Sequence, residues 1–239
     1  MVQKIVHPIF NNFDDIKIHL TNIASICFGR ECSNNYKNTF DRLKREQNGE
    51  PTSSFEFAYV SSGISAPPKL RGSKYVHYID SGIIFNAVFN IRELYKHYKE
   101  DTEKILDKYM CYDNSKFVSN NISIFKITCS IPASIHIMRH RLFSFQGLSR
   151  RYTKPSSVKF DFNGVISNRY KKIVLDEYDR LIKKGYHTQY ARLVLPLALQ
   201  TTFYMCGTNN QFRDFCKVRT SMATQEETRI IAKEIECLL

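Results

Sequence analysis

The amino-acid sequence predicts a helix-rich α+β fold with few strands. Three observations carry this. Apolar residues recur at helical spacing in several separate segments, and only two short runs have the character of strands. A length of 239 residues suits one domain, or one domain with an insertion. Apolar residues make up 43% and charged residues 24%, and 17 Phe with 14 Tyr supply ample area to bury, which excludes a disordered chain.

The elements follow in order. Asp14 to Phe28 places Ile16, Leu20, Ile23, Ala24 and Cys27 on one helical face. Tyr36 to Gln47 reads as a polar second helix stopped by Asn48-Gly49. Phe55 to Val60 is short, apolar and aromatic, and predicts a strand. Ser61 to Pro68 is rich in Ser, Gly and Pro, and Lys69 to Lys74 is basic; both predict loop. Ile83 to Tyr98 and Asp101 to Tyr109 have helical patterns, and Asn114 to Asn121 is polar. Ile122 to Ile131 predicts a strand, after which Pro132 opens a helix running toward Arg139. Arg169 to Lys184 aligns Tyr170, Val174, Tyr178, Leu181 and Ile182 as a core stripe, ending at Gly185. Leu193 to Cys206 is mixed apolar, and Asn210 to Val218 and Gln225 to Leu239 predict two further helices.

Composition narrows the function classes. No run of about 18 apolar residues occurs, so no membrane-spanning helix is expected. Met1 to Phe10 has no apolar stretch ahead of a small-residue cleavage site, so the expected location is the cytoplasm. The seven Cys form no CxxC pair and are expected to be reduced thiols. Cys and His never fall at zinc-ligand spacing, so no metal site is expected. The net charge of +12 implies anionic partners, with a solvated Lys-rich surface as the plain alternative.

The most informative stretch runs from Arg139 to Tyr152. It packs four Arg, one His and two Ser among Leu and Phe. Phe143, Phe145 and Leu148 would be wasted on a surface helix, so the basic groups are expected to line a partly buried site. Buried guanidiniums without partners are costly, and a bound phosphate or pyrophosphate would satisfy them. Two other readings stay open at this point: an Arg-rich face for phosphodiester backbones, and a solvated basic helix.

Arg139-His140-Arg141, seven residues, then Ser149, followed by Arg151-Tyr152, resembles the signature of the flavin-dependent thymidylate synthases. Three further segments agree in the same order. Ser53-Ser54-Phe55-Glu56 is similar to the segment that begins the family's first sheet strand and touches FAD. Arg192-Leu193-Val194-Leu195-Pro196, followed by Thr201, is similar to its Arg-x-Val-Leu-Pro run. Lys217-Val218-Arg219, with Gln225 and Glu226 after it, resembles its last motif. The resemblance covers about residues 14–60 and 119–238. It implies a helix-rich single domain over residues 1–239 with a small, mostly antiparallel sheet and an insertion at about 61–118.

The resemblance also implies an activity: reductive methylation of dUMP to dTMP. Methylene-tetrahydrofolate is the carbon donor, FAD the hydride source and NADPH the reductant. It implies a homotetramer whose active sites are shared between subunits, and it makes nucleic acid an unexpected partner. The implied cofactor-binding residues are Ser53, Glu56, Arg139, His140, Arg141, Asn210 and Asp214. The implied substrate-binding residues are His136, Arg139, Gly147, Ser149, Arg150, Arg151, Arg192 and Arg219, with Arg192 supplied by a neighbouring subunit. Arg219 is the implied catalytic residue, a permanent cation beside the uracil that stabilises negative charge developing on the ring. No enzyme thiol is then needed.

Several positions depart from the family pattern. His136 stands where Gln or Glu is common, Gln146 where Asn or Ser is frequent, and Gly147 where some members have Glu. Thr208-Asn209-Asn210 and Asp214 replace an Asn-x-Arg and a later Asn, removing one cation and adding one anion. Pro51 and Thr52 stand where many members carry a His. The alternative reading is a relative that binds nucleotide or flavin without turnover.

Overall fold

The structure is a computed structural model, and it describes residues 1–28, 36–49, 53–61, 67–70, 76–80, 85–109, 115–154 and 164–239. Strand β1 (Val2–Val6) leads into helix α1 (Phe13–Ser25) and a 3-10 turn at Ile26–Phe28. Helix α2 is Tyr36–Gly49, followed by a 3-10 turn at Ser53–Phe57, strand β2 (Tyr59–Ser61) and a 3-10 turn at Pro68–Leu70. Then come β3 (Val76–Asp80), β4 (Phe85–Asn90), α3 (Ile91–Tyr98), α4 (Thr102–Tyr109) and α5 (Ser115–Asn121). The second half carries β5 (Ile122–Ser130), α6 (Ile131–Met138), β6 (Ser144–Gly147) and α7 (Asn168–Lys183). It ends with α8 (Thr188–Ala191), a 3-10 turn at Arg192–Val194, β7 (Gln200–Thr208), α9 (Asn209–Arg219) and α10 (Glu226–Leu238).

The architecture is helix-rich with small antiparallel sheets. One sheet has the order β1-β5-β7-β6 and the other β2-β4-β3. Val2 lies opposite Ile127, Ile124 opposite Cys206, and Ser144 opposite Cys206 from the other side. One core cluster packs Phe125, Ile127, Phe203 and Met205 of the larger sheet against Phe212, Phe215, Ile231 and Ile235 of α9 and α10. A second joins Ile16, Leu20, Phe40 and Leu43 to Ala87, Phe89, Leu94 and Leu106. A third holds Ile23, Phe57, Tyr59, Val88, Ile124 and Cys206 together.

Local chemistry sets the helix starts. The Asn12 side chain accepts from the Asp15 N–H at 3.0 Å, and Asp14 and Asp15 complement the α1 dipole. α1 buries Ile16, Leu20, Ile23 and Ala24, the face its spacing predicts. Thr208 and Gln211 form a reciprocal capping box at the start of α9. Ser130 caps α6, with Pro132 in its first turn. On α7 only Val174 and Tyr178 are buried; Tyr170 is 45% exposed, so the stripe is narrower than its periodicity implied.

Two expectations are corrected. Phe55 to Val60 is not one strand: Ser53–Phe57 is a 3-10 turn, and only Tyr59–Ser61 pairs with β4. The backbone there is claimed by two histidines instead of a ladder. His19 Nε2–H donates to Phe57 O at 3.0 Å, and the Tyr59 N–H donates to His7 Nε2 at 3.2 Å. Ile83 to Tyr98 is not one helix: Phe85–Asn90 is the central strand of the smaller sheet, and only Ile91–Tyr98 is helical. Ala87 and Phe89 point into the second core cluster while Val88 points into the third. Burial on both faces gives a continuous apolar run whose period does not separate strand from helix. Asn90 ends the strand and caps α3, accepting from the Glu93 N–H at 3.1 Å.

The segment 61–118 contributes β3, β4, α3 and α4. Leu70, Ala87, Phe89, Leu94 and Leu106 share a core with α1 and α2. Of the loop expected over Ser61 to Lys74, residues 62–66 and 71–74 lie outside the described residues, as do Cys32 and Cys111, while Ser61 ends β2 and Pro68–Leu70 forms a 3-10 turn. Strands β1 and β3 had no counterpart among the expected elements. Among the described residues no helix is long and apolar enough to cross a membrane.

Candidate active site

The basic segment begins where α6 ends. Arg139 is the C-cap, and the His140 N–H closes the turn on Ile137 O at 3.1 Å. The chain then enters β6, and Phe143 and Phe145 turn inward. The Phe143 ring sits 4.7 Å from Phe212 and 6.0 Å from Phe215, and Phe145 sits 6.1 Å from Phe203. Gly207 on β7 permits this approach, since a Cβ there would stand 2.6 Å from the Phe143 ring. Arg139, Arg141 and Leu142 are left exposed.

Arg219, the last residue of α9, closes on this turn from 79 residues away. Its Nε–H donates to His140 Nε2 at 2.7 Å. That bond makes Nε2 the acceptor, so the His140 proton resides on Nδ1. The ring stands edge-on to Phe215 at 4.9 Å. Burial lowers the His140 pKa, and the Arg219 and His136 charges lower it further. His136 is lowered in the same way, by burial, then by Arg219 and Arg139, and its Nδ1 lies 3.3 Å from Thr228 Oγ1. His136, Arg139, His140 and Arg219 therefore form one electrostatic cluster, with both imidazoles held neutral beside two guanidiniums.

The remainder of the basic segment forms a second group. Cys27 Sγ donates to Gly147 O at 3.3 Å, and the Ser149 N–H donates to Cys27 O at 3.2 Å. Ser149 Oγ accepts from the Arg151 N–H at 3.3 Å, and Ser149 O accepts from the Tyr152 and Thr153 N–H groups, a tight turn. Arg151 is exposed, its guanidinium 5.7 Å from the Tyr152 ring. Arg150 turns inward: Nη2–H donates to Gln200 O at 2.7 Å, while Nε and Nη1 are buried without partners in this structure. Burial lowers its pKa, with Tyr178 opposing.

The other expected residues lie elsewhere. Glu56 forms an ion pair with Arg92 of α3, and Ser53 opens the 3-10 turn beside β6. Asn210 accepts from Arg213 Nη1 at 2.8 Å, and Asp214 is exposed one turn further along α9. Nine residues of helix put Asn210 roughly 14 Å of rise from Arg219. Arg213 thus places a cation next to Asn210. Arg192 is exposed on its 3-10 turn, next to Leu193 at 76% and near Leu197 at 65% exposure. Ser130, Glu227 and Thr228 were not anticipated. Their signal was the placement of polar Glu227 and Thr228 on the buried stripe of α10 with Ile231, Ala232 and Ile235. A cavity of about 380 Å³ opens beside them, between Pro132, Ile166, Ala198 and Gln225.

Burial disfavours the thiolate at three of the described cysteines. Burial pushes Cys129 and Cys216 each up to about 12, and Cys206 well above its ordinary value.

Comparison with known proteins bears on this cluster. The chain is 30% identical over 130 residues to a flavin-dependent thymidylate synthase of Synechocystis sp., covering 45% of this chain and 60% of that one. It is 27% identical over 150 residues to the flavin-dependent thymidylate synthase of Thermococcus onnurineus, covering 56% and 60%. The chain thus spans little more than half the length of these relatives. Among solved structures it is similar to a UMP/dUMP methylase, PolB, from Streptomyces cacaoi bound with 5-Br dUMP, with a TM-score of 0.42 and 23% identity, covering 49% and 66%. The family described as "Thymidylate synthase complementing protein" matches residues 77–239, a span that contains β5, α6, the Arg139–Tyr152 segment and both helices that carry Arg219 and Thr228. With more than half of its residues in that match, the chain belongs to the thymidylate synthase complementing protein family.

Proposed function

We propose that this chain is an FAD-dependent thymidylate synthase. It converts dUMP to dTMP with methylene-tetrahydrofolate as carbon donor and NADPH as reductant. The carrying observation is the 2.7 Å bond from Arg219 to His140, which joins the last motif to the Arg139–Tyr152 segment. The donor set fits an anionic cofactor and nucleotide. Arg139 and Arg141 are exposed cations on one turn, and His140 keeps an N–H at Nδ1 because Arg219 occupies Nε2.

The bound flavin supplies hydride. The protein's part is electrostatic. Arg219 cannot lose its proton at neutral pH, so it holds a fixed positive charge where negative charge develops on the pyrimidine ring. Its bond to His140 fixes the guanidinium plane. Neutral His136 and His140 keep their hydrogen-bonding capacity without adding charge that would compete for the anions. Ser149, Arg151 and the backbone at Gly147 hold the nucleotide phosphate, and Arg150 adds its two free donors on rotation. Ser53, Glu56, Asn210 and Asp214 would hold FAD together with Arg139, His140 and Arg141. Arg192 completes the site of a neighbouring subunit in a homotetramer, and its exposure beside Leu193 and Leu197 supports that role.

The test is direct. The purified protein, supplied with FAD, shows flavin absorption bands, and it releases tritium from 5-labelled dUMP only with NADPH and methylene-tetrahydrofolate present. A protein that neither retains added FAD nor binds dUMP overturns the proposal. Flavin and dUMP binding without tritium release overturns the activity and leaves a binding relative.

A further inference from the structure

The helix that carries the basic cluster is held at both ends by the same helical pair. At its C-terminal end, Arg219 of α9 bonds His140 at 2.7 Å. In its last turn, His136 Nδ1 meets Thr228 Oγ1 of α10 at 3.3 Å. At its N-terminal end, Glu227 of α10 accepts the Ser130 N–H at Oε1, 2.8 Å, and the Ser130 hydroxyl at Oε2. Ser130 Oγ itself accepts from the Ala133 N–H at 3.3 Å, so the carboxylate grips the residue that caps α6. Glu227 is 7% exposed and Thr228 fully buried.

We propose that Glu227 is a positioning residue for the His136–Arg139–His140–Arg219 cluster, acting through Ser130 and the length of α6. The helix has only eight residues, roughly 12 Å of rise, too short to flex internally. Displacing its N-cap therefore displaces its C-terminal turn as a unit. A buried carboxylate bound to a backbone N–H and a hydroxyl is a strong anchor, and its charge complements the positive end of the helix dipole. Glu226 next to it is exposed and makes no such contact among the described residues. The α9–α10 pair thus sets the distance between Arg219 and His140 from two sides at once. The consequence for turnover rests on the reading above; the positional role does not.

The experiment reads the imidazoles directly. Long-range proton–nitrogen spectra of ¹⁵N-labelled protein report the tautomer and titration of His136 and His140 without nucleotide or flavin. The groups facing these rings are Arg139, Arg219 and Thr228, with Phe215 against His140. Glu227→Ala loosens the Arg219 contact, so His140 titrates upward by about half a pH unit or more, toward the free value of ~6.5. Its Nδ1–H tautomer preference also weakens. Glu227→Gln rescues both, since its carbonyl accepts the Ser130 N–H and its amide donates to Ser130 Oγ. Glu236→Gln on the exposed face of α10 leaves both unchanged. Should Glu227→Ala fail to fold, Ser130→Ala, which keeps the backbone N–H, is read in the same way. A folded Glu227→Ala or Ser130→Ala variant with wild-type His140 and His136 titrations overturns the proposal. Altered titrations in a protein that binds neither FAD nor dUMP would sustain the positional role while overturning the function.

Discussion

Acidification attacks the fold at a pair of histidines outside the basic cluster. His7 is buried and His19 half-buried beside it, ring centroids 5.8 Å apart. His7 Nδ1–H donates to Pro8 O at 3.0 Å while Nε2 accepts the Tyr59 N–H, so protonation must break the second bond. Burial lowers His7 from 6.5 to about 3, with His19 adding repulsion, and burial lowers His19 from 6.5 to about 4. Both folded values lie below the unfolded one. The unfolded chain therefore binds more protons, and stability is full above 6.5 and falls as pH drops toward the folded values. Between about pH 7 and about pH 5 each histidine removes ~2 kcal/mol, so the pair removes ~4 kcal/mol. That is a large part of the ~5–15 kcal/mol of an ordinary domain. Urea unfolding followed by circular dichroism at a series of pH values measures the loss. The double variant His7→Gln/His19→Gln keeps the hydrogen-bonding groups but cannot titrate, and its midpoint should fall much less over the same range. Equal pH slopes in the wild type and the double variant would refute the reasoning, because the acid sensitivity would then reside in other groups.

Three further outcomes are expected. Arg219→Lys retains a charge but loses the Nε–H that meets His140; turnover should drop by about 10²-fold or more, with the His140 ring titration shifted in the apo-protein spectrum. Gly207→Ala puts a methyl group 2.6 Å from the Phe143 ring and 2.8 Å from Gln211 Oε1, and should lower unfolding free energy in urea by about 1–3 kcal/mol. Thr208→Ala removes half of the α9 capping box, which predicts a loss of about 1 kcal/mol, read as a lower thermal midpoint.

Much of this molecule was legible in one dimension. The Ile16, Leu20, Ile23, Ala24 stripe, the proline-opened helix after Ile131 and the two terminal helices follow from local periodicity, helped at α1, α6 and α9 by caps, which act within a turn of the chain. Phe85–Asn90 was not legible as a strand, because its neighbours on both faces come from distant segments and burial on both sides erases alternation. Ser53–Phe57 left the strand pattern where His19, 38 residues away in sequence, claims the Phe57 carbonyl.

The candidate site divides along the same line. The residue types and spacing of Arg139 to Tyr152 and the presence of Arg219 were set by the sequence itself, since charge and hydrogen-bonding capacity belong to side chains. Which of them meet was decided only in three dimensions. Packing of α9 and α10 on the larger sheet brings Arg219 to His140, Thr228 to His136 and Glu227 to Ser130, and these are contacts between segments whose separation no local rule encodes. Elsewhere the fold turns Arg150 onto Gln200 O and leaves Glu56 with Arg92, because the tertiary structure, and not the order of residues, fixes the nearest partner of each charge.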